Sequence, residues 1–398
     1  MHAATYFDGE GWRDGIIDVD GERMLLRDAA PTADLPRLDG VIVGGFTDHH
    51  VHLQLVDHEL LRESTLGRVI DLGANPVAVA ALAAALGGVK DASVDPCGVK
   101  NASESTFSGA FLTPHGTTAP HGTPHGTTAP HGTPHGTTTP HGTTTPGGPP
   151  QRTEHRVAVG FAGAFLTPVG GYPSDRDWAP AGSFREIADS AAAERAVTQM
   201  ADAGASCIKV ASNATAGPVF DDDVFRAIVE AAAARGLAVV AHAEGRGEAQ
   251  RAARLGAARL AHAPFTERLD DAEVAAQAAS VSWISTLAIH DGDSDHDNDG
   301  DDGDNDDARA TAVDNVRRFH AAGGTVLYGT DMGNGPTPVG LNPAELAALR
   351  DAGVDGIDLL RALVPQNPLD PASVLLRLPG TDADPTLARP LTSADLKA

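Results

Sequence analysis

Eight short apolar runs punctuate this chain: VIVGGFTDHH, GRVIDLG, RVAVGFAGAF, SCIKVAS, LAVVAHAEG, ARLAHAP, VSWISTLAI and TVLYGTDMG. Several of the stretches between them, such as REIADSAAAERAVTQMADAGA and DDDVFRAIVEAAAARG, place apolar residues at helical spacing with Gly at the C-terminal boundary. Antiparallel neighbours need only a tight turn, whereas parallel strands need a long crossover, so this alternation points to a parallel sheet wrapped in helices. Eight repeats are the number that closes a (β/α)₈ TIM barrel, expected here over residues 45–365 of an α/β chain. Aromatic residues make up only 4%, so the core must be Ala, Val, Leu and Ile packed between helices and sheet.

Two segments break the pattern and read as disordered inserts. Residues 114–150 repeat PHGTTAPHGT, with Pro or Gly every few positions and no apolar periodicity, and GAFLTP stands on both sides, at 109–114 and 163–168. The second copy follows a strand-like run and is taken as the structural one. The repeat histidines His115, His121, His125, His131, His135 and His141 read as a passive tract. Residues 291–307 hold ten aspartates and read as a solvated acidic loop. Asp295, Asp297, Asp299, Gly300 and Asp306 match calcium-loop spacing except for the final Glu, a match that an Asp-rich tract produces by chance.

A net charge of -25 argues against a nucleic-acid partner. The longest apolar run, PVAVAALAAALGG, is too short to span a bilayer and reads as a buried helix, so no membrane partner is expected. Two cysteines, Cys97 and Cys207, make no disulfide framework, and MHAATYFDGEGWRDG shows no basic segment followed by an apolar one; a cytoplasmic protein is the expectation. Cys207 reads as a small core filler.

A barrel brings its strand ends to one mouth, and metal-binding side chains stand near five of them. In TDHHVHL, strand alternation turns Asp48, His50 and His52 to one face and His49 to the other, leaving His50 and His52 close enough to share a metal ion. Lys209 lies in the fourth run, His242 ends the fifth, His262 the sixth and Asp331 the eighth. Any one of these has an ordinary explanation as a hydrogen-bonded rim residue, and Lys209 as half of an ion pair. The ordered set is what points to a metal site.

GFTDHHVHL, AHAEG, LAHAP and GTDMG together resemble the strand motifs of the amidohydrolase superfamily of metal-dependent hydrolases. CIKVASNATAGP with GAFLTPVGGYP most resembles its imidazolonepropionase-like and prolidase-like branch. The resemblance implies two divalent ions, one held by His50 and His52 and the other by His242 and His262. Lys209, carboxylated by carbon dioxide, would bridge them as a carbamate. It further implies hydrolysis of a C–N bond in an amide, cyclic amide or dipeptide by a hydroxide bridging the metals, with Asp331 as metal ligand and proton shuttle. Zinc suits a histidine-rich site. Asp48 reads as a supporting residue.

The partner is then a small-molecule substrate, and Tyr172, Arg176 and His290 are the candidates to touch it. Other readings remain. A heterocycle deaminase would use one metal, with Glu244 as proton donor; a binding protein on the same fold would use none. The family also carries a small β-sandwich, and residues 1–44 look like its first half. In the C-terminal segment 366–398, LPGTDADPTLARPLTSADLKA lacks the apolar strands that should follow, which leaves room for a homo-oligomer in which a partner subunit supplies them.

Overall fold

The computed structural model of the chain describes residues 1–20, 23–87, 155–290 and 302–397. The insert at 114–150, its histidines, the first GAFLTP copy, Cys97 and the calcium-like spacing as far as Gly300 lie outside the described residues.

The chain opens with β1 (His2–Phe7), β2 (Trp12–Asp20), β3 (Arg23–Arg27) and β4 (Arg37–Gly44). Ten further strands follow: β5 (Phe46–Val51), β6 (Leu66–Asp71), β7 (Ala158–Phe161), β8 (Phe165–Pro168), β9 (Phe184–Ile187), β10 (Cys207–Asn213), β11 (Ala238–Glu244), β12 (Arg259–Leu260), β13 (Ser282–Ile284) and β14 (Thr325–Leu327). Two more, β15 (Leu375–Leu378) and β16 (Arg389–Pro390), return to the first sheet. The order there is β16-β15-β4-β1-β2-β3, a curled sheet like the expected sandwich. Its C-terminal contribution comes from LLRL at 375–378, earlier than the segment judged too poor in apolar residues, and β15 pairs antiparallel with β4.

All eight apolar runs contribute to the barrel. β5, β6 and β7 pair in parallel, as do β10 to β14. The third run is broken into β7 and β8, and it meets β10 through Ser206 N–H donating to Phe161 O (2.8 Å) and through the Leu166 to Val210 pairing. The ring closes where Val51 bridges Met332 and where His49 N–H donates to Tyr328 O (3.0 Å). Inside, Ile70, Leu72, Ala162, Cys207, Val240, Ala261, Ile284 and Leu327 form one buried cluster. Cys207 is thus the small filler expected. Side chains two residues further along β10 and β11 stack above this layer, and there the sequence places Lys209 and His242.

Helices cover the outside: α1 (Pro76–Leu86), α2 (Ser190–Ala203), α3 (Asp222–Ala233), α4 (Glu248–Arg254), α5 (Asp271–Ala278), α6 (Asp302–Ala321), α7 (Pro343–Asp351) and α8 (Gly356–Ala362). The structure departs from the sequence reading in three places. The helical pattern read from Arg185 begins as strand β9, and α2 starts only after Asp189, whose carboxylate caps Ala192 N–H at 2.7 Å. The acidic block ends in α6 rather than in a loop, because acidic residues suit the positive N-terminal end of a helix. The apolar helix α1 buries one face only, through Val79, Ala83 and Leu86, while Val77 stands 78% exposed.

Candidate active site

β5 presents Asp48 and His50 inward, and His52, the residue just after it, continues the same alternation. Asp48 is fully buried; it accepts Thr330 Oγ1–H at 2.6 Å and the His50 backbone N–H at 3.0 Å, tying β5 to the chain just after β14. Burial pushes its carboxyl up to about 7 against these hydrogen bonds. It touches supports, not the centre of the site. His49 is buried on the other side and stands outside the cluster described next.

Asp331 lies where the eighth run ends. Its Oδ1 stands 3.0 Å from His50 Nε2 and 3.0 Å from His52 Nε2, and donor atoms of His50, His262 and Asp331 all lie within 4.8 Å of one another. His50 Nδ1 meets Ala261 O at 2.8 Å and His52 Nδ1 meets Gly73 O at 3.2 Å. A carbonyl oxygen only accepts, so both Nδ1 atoms carry a proton, and in the neutral rings that ligate a metal both Nε2 atoms present lone pairs. Two lone pairs facing a carboxylate oxygen repel one another unless a cation lies among them. Asp331 Oδ1 is buried and makes no well-aligned hydrogen bond, while Oδ2 accepts Asn334 Nδ2–H at 2.8 Å. This donor set fits a divalent metal ion. The mutually close group takes one histidine from each of the pairs expected from sequence.

His262 Nδ1 lies 2.9 Å from Thr286 Oγ1, and the rings of His262 and His242 are 4.9 Å apart. His242 Nε2 stands 3.0 Å from Glu244 Oε2. Glu244 also accepts from Asn213 Nδ2–H (2.6 Å) and Thr215 Oγ1–H (2.9 Å). Burial works to raise the Glu244 carboxyl, yet its hydrogen bond from His242 and the other donors hold it below the usual range.

Lys209 is 1% exposed, and burial brings its amine down to about 7. Asp331 and Asp71 act on it only through space, and among the described residues no carboxylate forms the ion pair that would make it an ordinary strand lysine. Its Nζ lies 5.9 Å above the centre of the Phe165 ring, an apolar neighbour that keeps water away.

The substrate candidates come from the loops. Tyr172 stacks on His242 with ring centres 5.4 Å apart, and the Arg176 guanidinium lies 5.8 Å from the Tyr172 ring centre. His290 packs 4.7 Å from Phe265, whose ring is 6.4 Å from His262.

The family model for amidohydrolases matches residues 41–363, most of the chain and the whole barrel. The chain belongs to the amidohydrolase family. With the donor set described, it is a metal-dependent hydrolase acting on C–N bonds. No curated protein sequence matches it. Among solved structures it is similar to an ochratoxinase from A. niger (TM-score 0.62, 13% identity, covering 98% of this chain and 94% of that one). It is also similar to a putative prolidase from Bifidobacterium longum (TM-score 0.61, 19% identity, 96% and 88%). A third is a Xaa-Pro dipeptidase with bound methionine (TM-score 0.60, 15% identity, 91% and 86%). At these identities the likeness is one of fold.

Sequence reasoning passed over several residues of this amidohydrolase site. Asp71 is buried and accepts Leu53 N–H at 2.7 Å and Gly73 N–H at 3.0 Å, fixing the carbonyl that holds His52. Thr286, Thr330 and Asn213 hold a histidine or a carboxylate in place. Their only signal was position, Thr286 and Thr330 inside an apolar run and Asn213 one residue past another, where Thr and Asn are otherwise ordinary. Among the described residues no helix is long and apolar enough to cross a membrane.

Proposed function

We propose that this amidohydrolase cleaves an amide, cyclic amide or dipeptide bond and stands in the imidazolonepropionase-like and prolidase-like branch of its family. The observation that carries this reading is the convergence of three histidines, with His50 and His52 presenting Nε2 lone pairs, on the buried Asp331 carboxylate. Two divalent ions, zinc before others for these ligands, would be held by His50, His52, His242, His262 and Asp331, with Lys209 between them. Bound there, the metal supplies a water nucleophile at neutral pH and polarises the scissile carbonyl.

The chain's own residues do the rest. Asp331 takes the proton from the attacking water and delivers it to the leaving nitrogen, so that a neutral amine departs. Asn334 fixes one carboxylate oxygen and leaves Oδ1 for this exchange. An amine lowered to about 7 is substantially neutral at physiological pH. Its lone pair attacks carbon dioxide, a proton is lost, and Lys209 becomes an anionic oxygen ligand. Tyr172 and Arg176 face the leaving group on one side, His290 on the other.

One observation favours the deaminase reading instead: among the described residues, a single mutually close ligand group, with Glu244 on His242. Metal analysis separates the two. About two equivalents of zinc per chain, with at least one lost in Lys209→Ala, supports the two-metal amidase. One equivalent, unchanged in Lys209→Ala, supports the deaminase. N-acyl amino acids, dipeptides, cyclic amides and aminated heterocycles, screened with the zinc-loaded protein, then fix the bond cleaved.

A further inference from the structure

Aromatic residues are scarce in this chain, with three Trp and three Tyr, yet an unbroken series of rings runs from the metal ligands to solvent. Phe165 lies 5.7 Å from His52. Trp178 meets Phe165 edge-on at 6.5 Å and Tyr172 at 6.1 Å, and Tyr172 stacks on His242. Phe165 is buried and Tyr172 half-buried, while Trp178 is 43% exposed. Facing this wall across His242 and His262 stand Phe265 and His290.

A tryptophan of that exposure adds little to the core, and it leaves indole surface open to a flat group beside Phe165 and Tyr172. The loop carrying it is already fixed. Thr167 Oγ1–H donates to Tyr172 O (2.6 Å), Gly170 N–H to Glu186 Oε1 (2.8 Å) and Asn75 Nδ2–H to Ala181 O (2.9 Å). A wall built beforehand binds without a cost of ordering.

Charge narrows the ligand. Arg176 sits beside the Tyr172 ring with its side chain 41% exposed, and its ion pair is with the adjacent Asp175 at 3.4 Å, a contact across open solvent of little energetic weight. Glu244 is occupied by His242, Asn213 and Thr215. The mouth therefore offers a cation and an aromatic surface side by side, with its carboxylate already engaged.

We propose that Phe165, Tyr172 and Trp178 form a subsite for an aromatic ring, and that the substrate is an N-acylated aromatic amino acid whose free carboxylate meets Arg176. Water adds to the acyl carbon, the C–N bond breaks, the nitrogen takes a proton, and a carboxylic acid and the aromatic amino acid leave. The assignment of this substrate rests on the amide-hydrolase reading; the ring subsite is testable apart from it.

The test uses the zinc-loaded full-length protein. N-acetyl-L-phenylalanine should be cleaved with a kcat/KM roughly tenfold or more above that of N-acetyl-L-alanine, and by a similar factor above that of its own carboxamide. Trp178→Ala should bring the first ratio towards one, and Arg176→Gln the second. Calorimetry with L-phenylalanine and L-alanine reads the subsite without turnover, and L-phenylalanine should bind roughly tenfold tighter in the parent but not in Trp178→Ala. Selective binding of L-phenylalanine with no cleavage of any amide would keep the ring subsite and overturn the hydrolase reading. Cleavage of both acetyl amino acids at similar rates, or equal binding of the two amino acids, would overturn the subsite and leave the hydrolase reading standing.

Discussion

Thr286 holds a β-branched side chain at φ +43° while fully buried, and Asp331 stands at φ +54°. Such conformations cost on the order of 1–3 kcal/mol each and persist only where the surroundings enforce them. Here the Thr286 N–H donates to Gly329 O and its hydroxyl meets His262 Nδ1, so the strain buys a fixed imidazole. Thr286→Val keeps the shape and removes the hydroxyl; metal affinity, read by chelator competition, should fall by roughly 10- to 100-fold, with Thr286→Ser close to the parent. A Val variant binding metal like the parent would show the hydroxyl to be incidental. Asp331→Asn is a second residue-scale prediction. Asn tolerates the left-handed backbone and keeps the Asn334 contact, but an amide takes no proton, so kcat should drop by about 10²- to 10⁴-fold and KM much less. Near-normal kcat in a metal-replete Asn variant would send the search for the proton carrier to Glu244 or His290. His50, His52, Lys209, His242, His262 and Asp331 stood out as candidates because their chemistry is rare at strand ends, and the structure gathers His50, His262 and Asp331 into one close group. Thr286 did not stand out, since a threonine's role here depends on a histidine 24 residues away.

Elements were legible where hydrophobic period and length agreed. All eight barrel strands announced themselves as apolar runs, but β9 did not, because Phe184–Ile187 pairs only at the sheet edge and its residues also continue a helical pattern. Nor was the break between β7 and β8 visible, since Ala162 and Ala164 are as apolar as their neighbours. The β1–β2 connection shows local chemistry deciding an element. Asp8 accepts the backbone N–H groups of Glu10 and Gly11, each at 2.8 Å, and Arg13 Nε–H at 2.8 Å, and Gly9 takes φ +99°. The Arg13 hydrogen bond, then those two backbone donors, lower the Asp8 carboxyl to about 2. A folded value below the unfolded one means the carboxylate stabilises the fold at all pH above the ordinary aspartate range and loses this as pH falls through about 2. Asp8→Asn should therefore cost roughly 0.5 kcal/mol near neutral pH, small because the group is solvent-screened. In urea titrations that gap should narrow as pH is lowered below the ordinary aspartate range; a gap independent of pH would assign the loss to the turn's shape instead of its charge.

At the scale of the molecule, the sequence showed a barrel preceded by a strand-rich segment, but not how one is fastened to the other. The first apolar run belongs to both: β4 ends at Gly44 in the small sheet and β5 begins at Phe46 in the barrel. Gln366 sits at this crossing. Its backbone N–H donates to Gly45 O (2.9 Å), its Nε2–H to Gly67 O (3.0 Å), and its Oε1 accepts Val374 N–H (3.0 Å) on the approach to β15. Only residues without a side chain let these strands come so near. A Cβ at Gly67 would lie 2.3 Å from Gln366 Oε1 and 3.0 Å from Gly45 Cα. Gly67→Ala should thus destabilise the protein by about 2 kcal/mol or more through overpacking. Gln366→Ala should cost about 1–3 kcal/mol by leaving the Gly67 carbonyl and the Val374 N–H without partners. The two losses should not add. With the glutamine side chain gone, the two closest contacts of the new methyl are removed and Gly45 Cα at 3.0 Å remains, so the double variant should recover at least roughly 0.5 kcal/mol relative to the sum. Urea unfolding of the four proteins measures this coupling directly. Simple additivity would mean that the sheet is held to the barrel by the continuous β4–β5 backbone and the β15 pairing, with Gln366 a bystander.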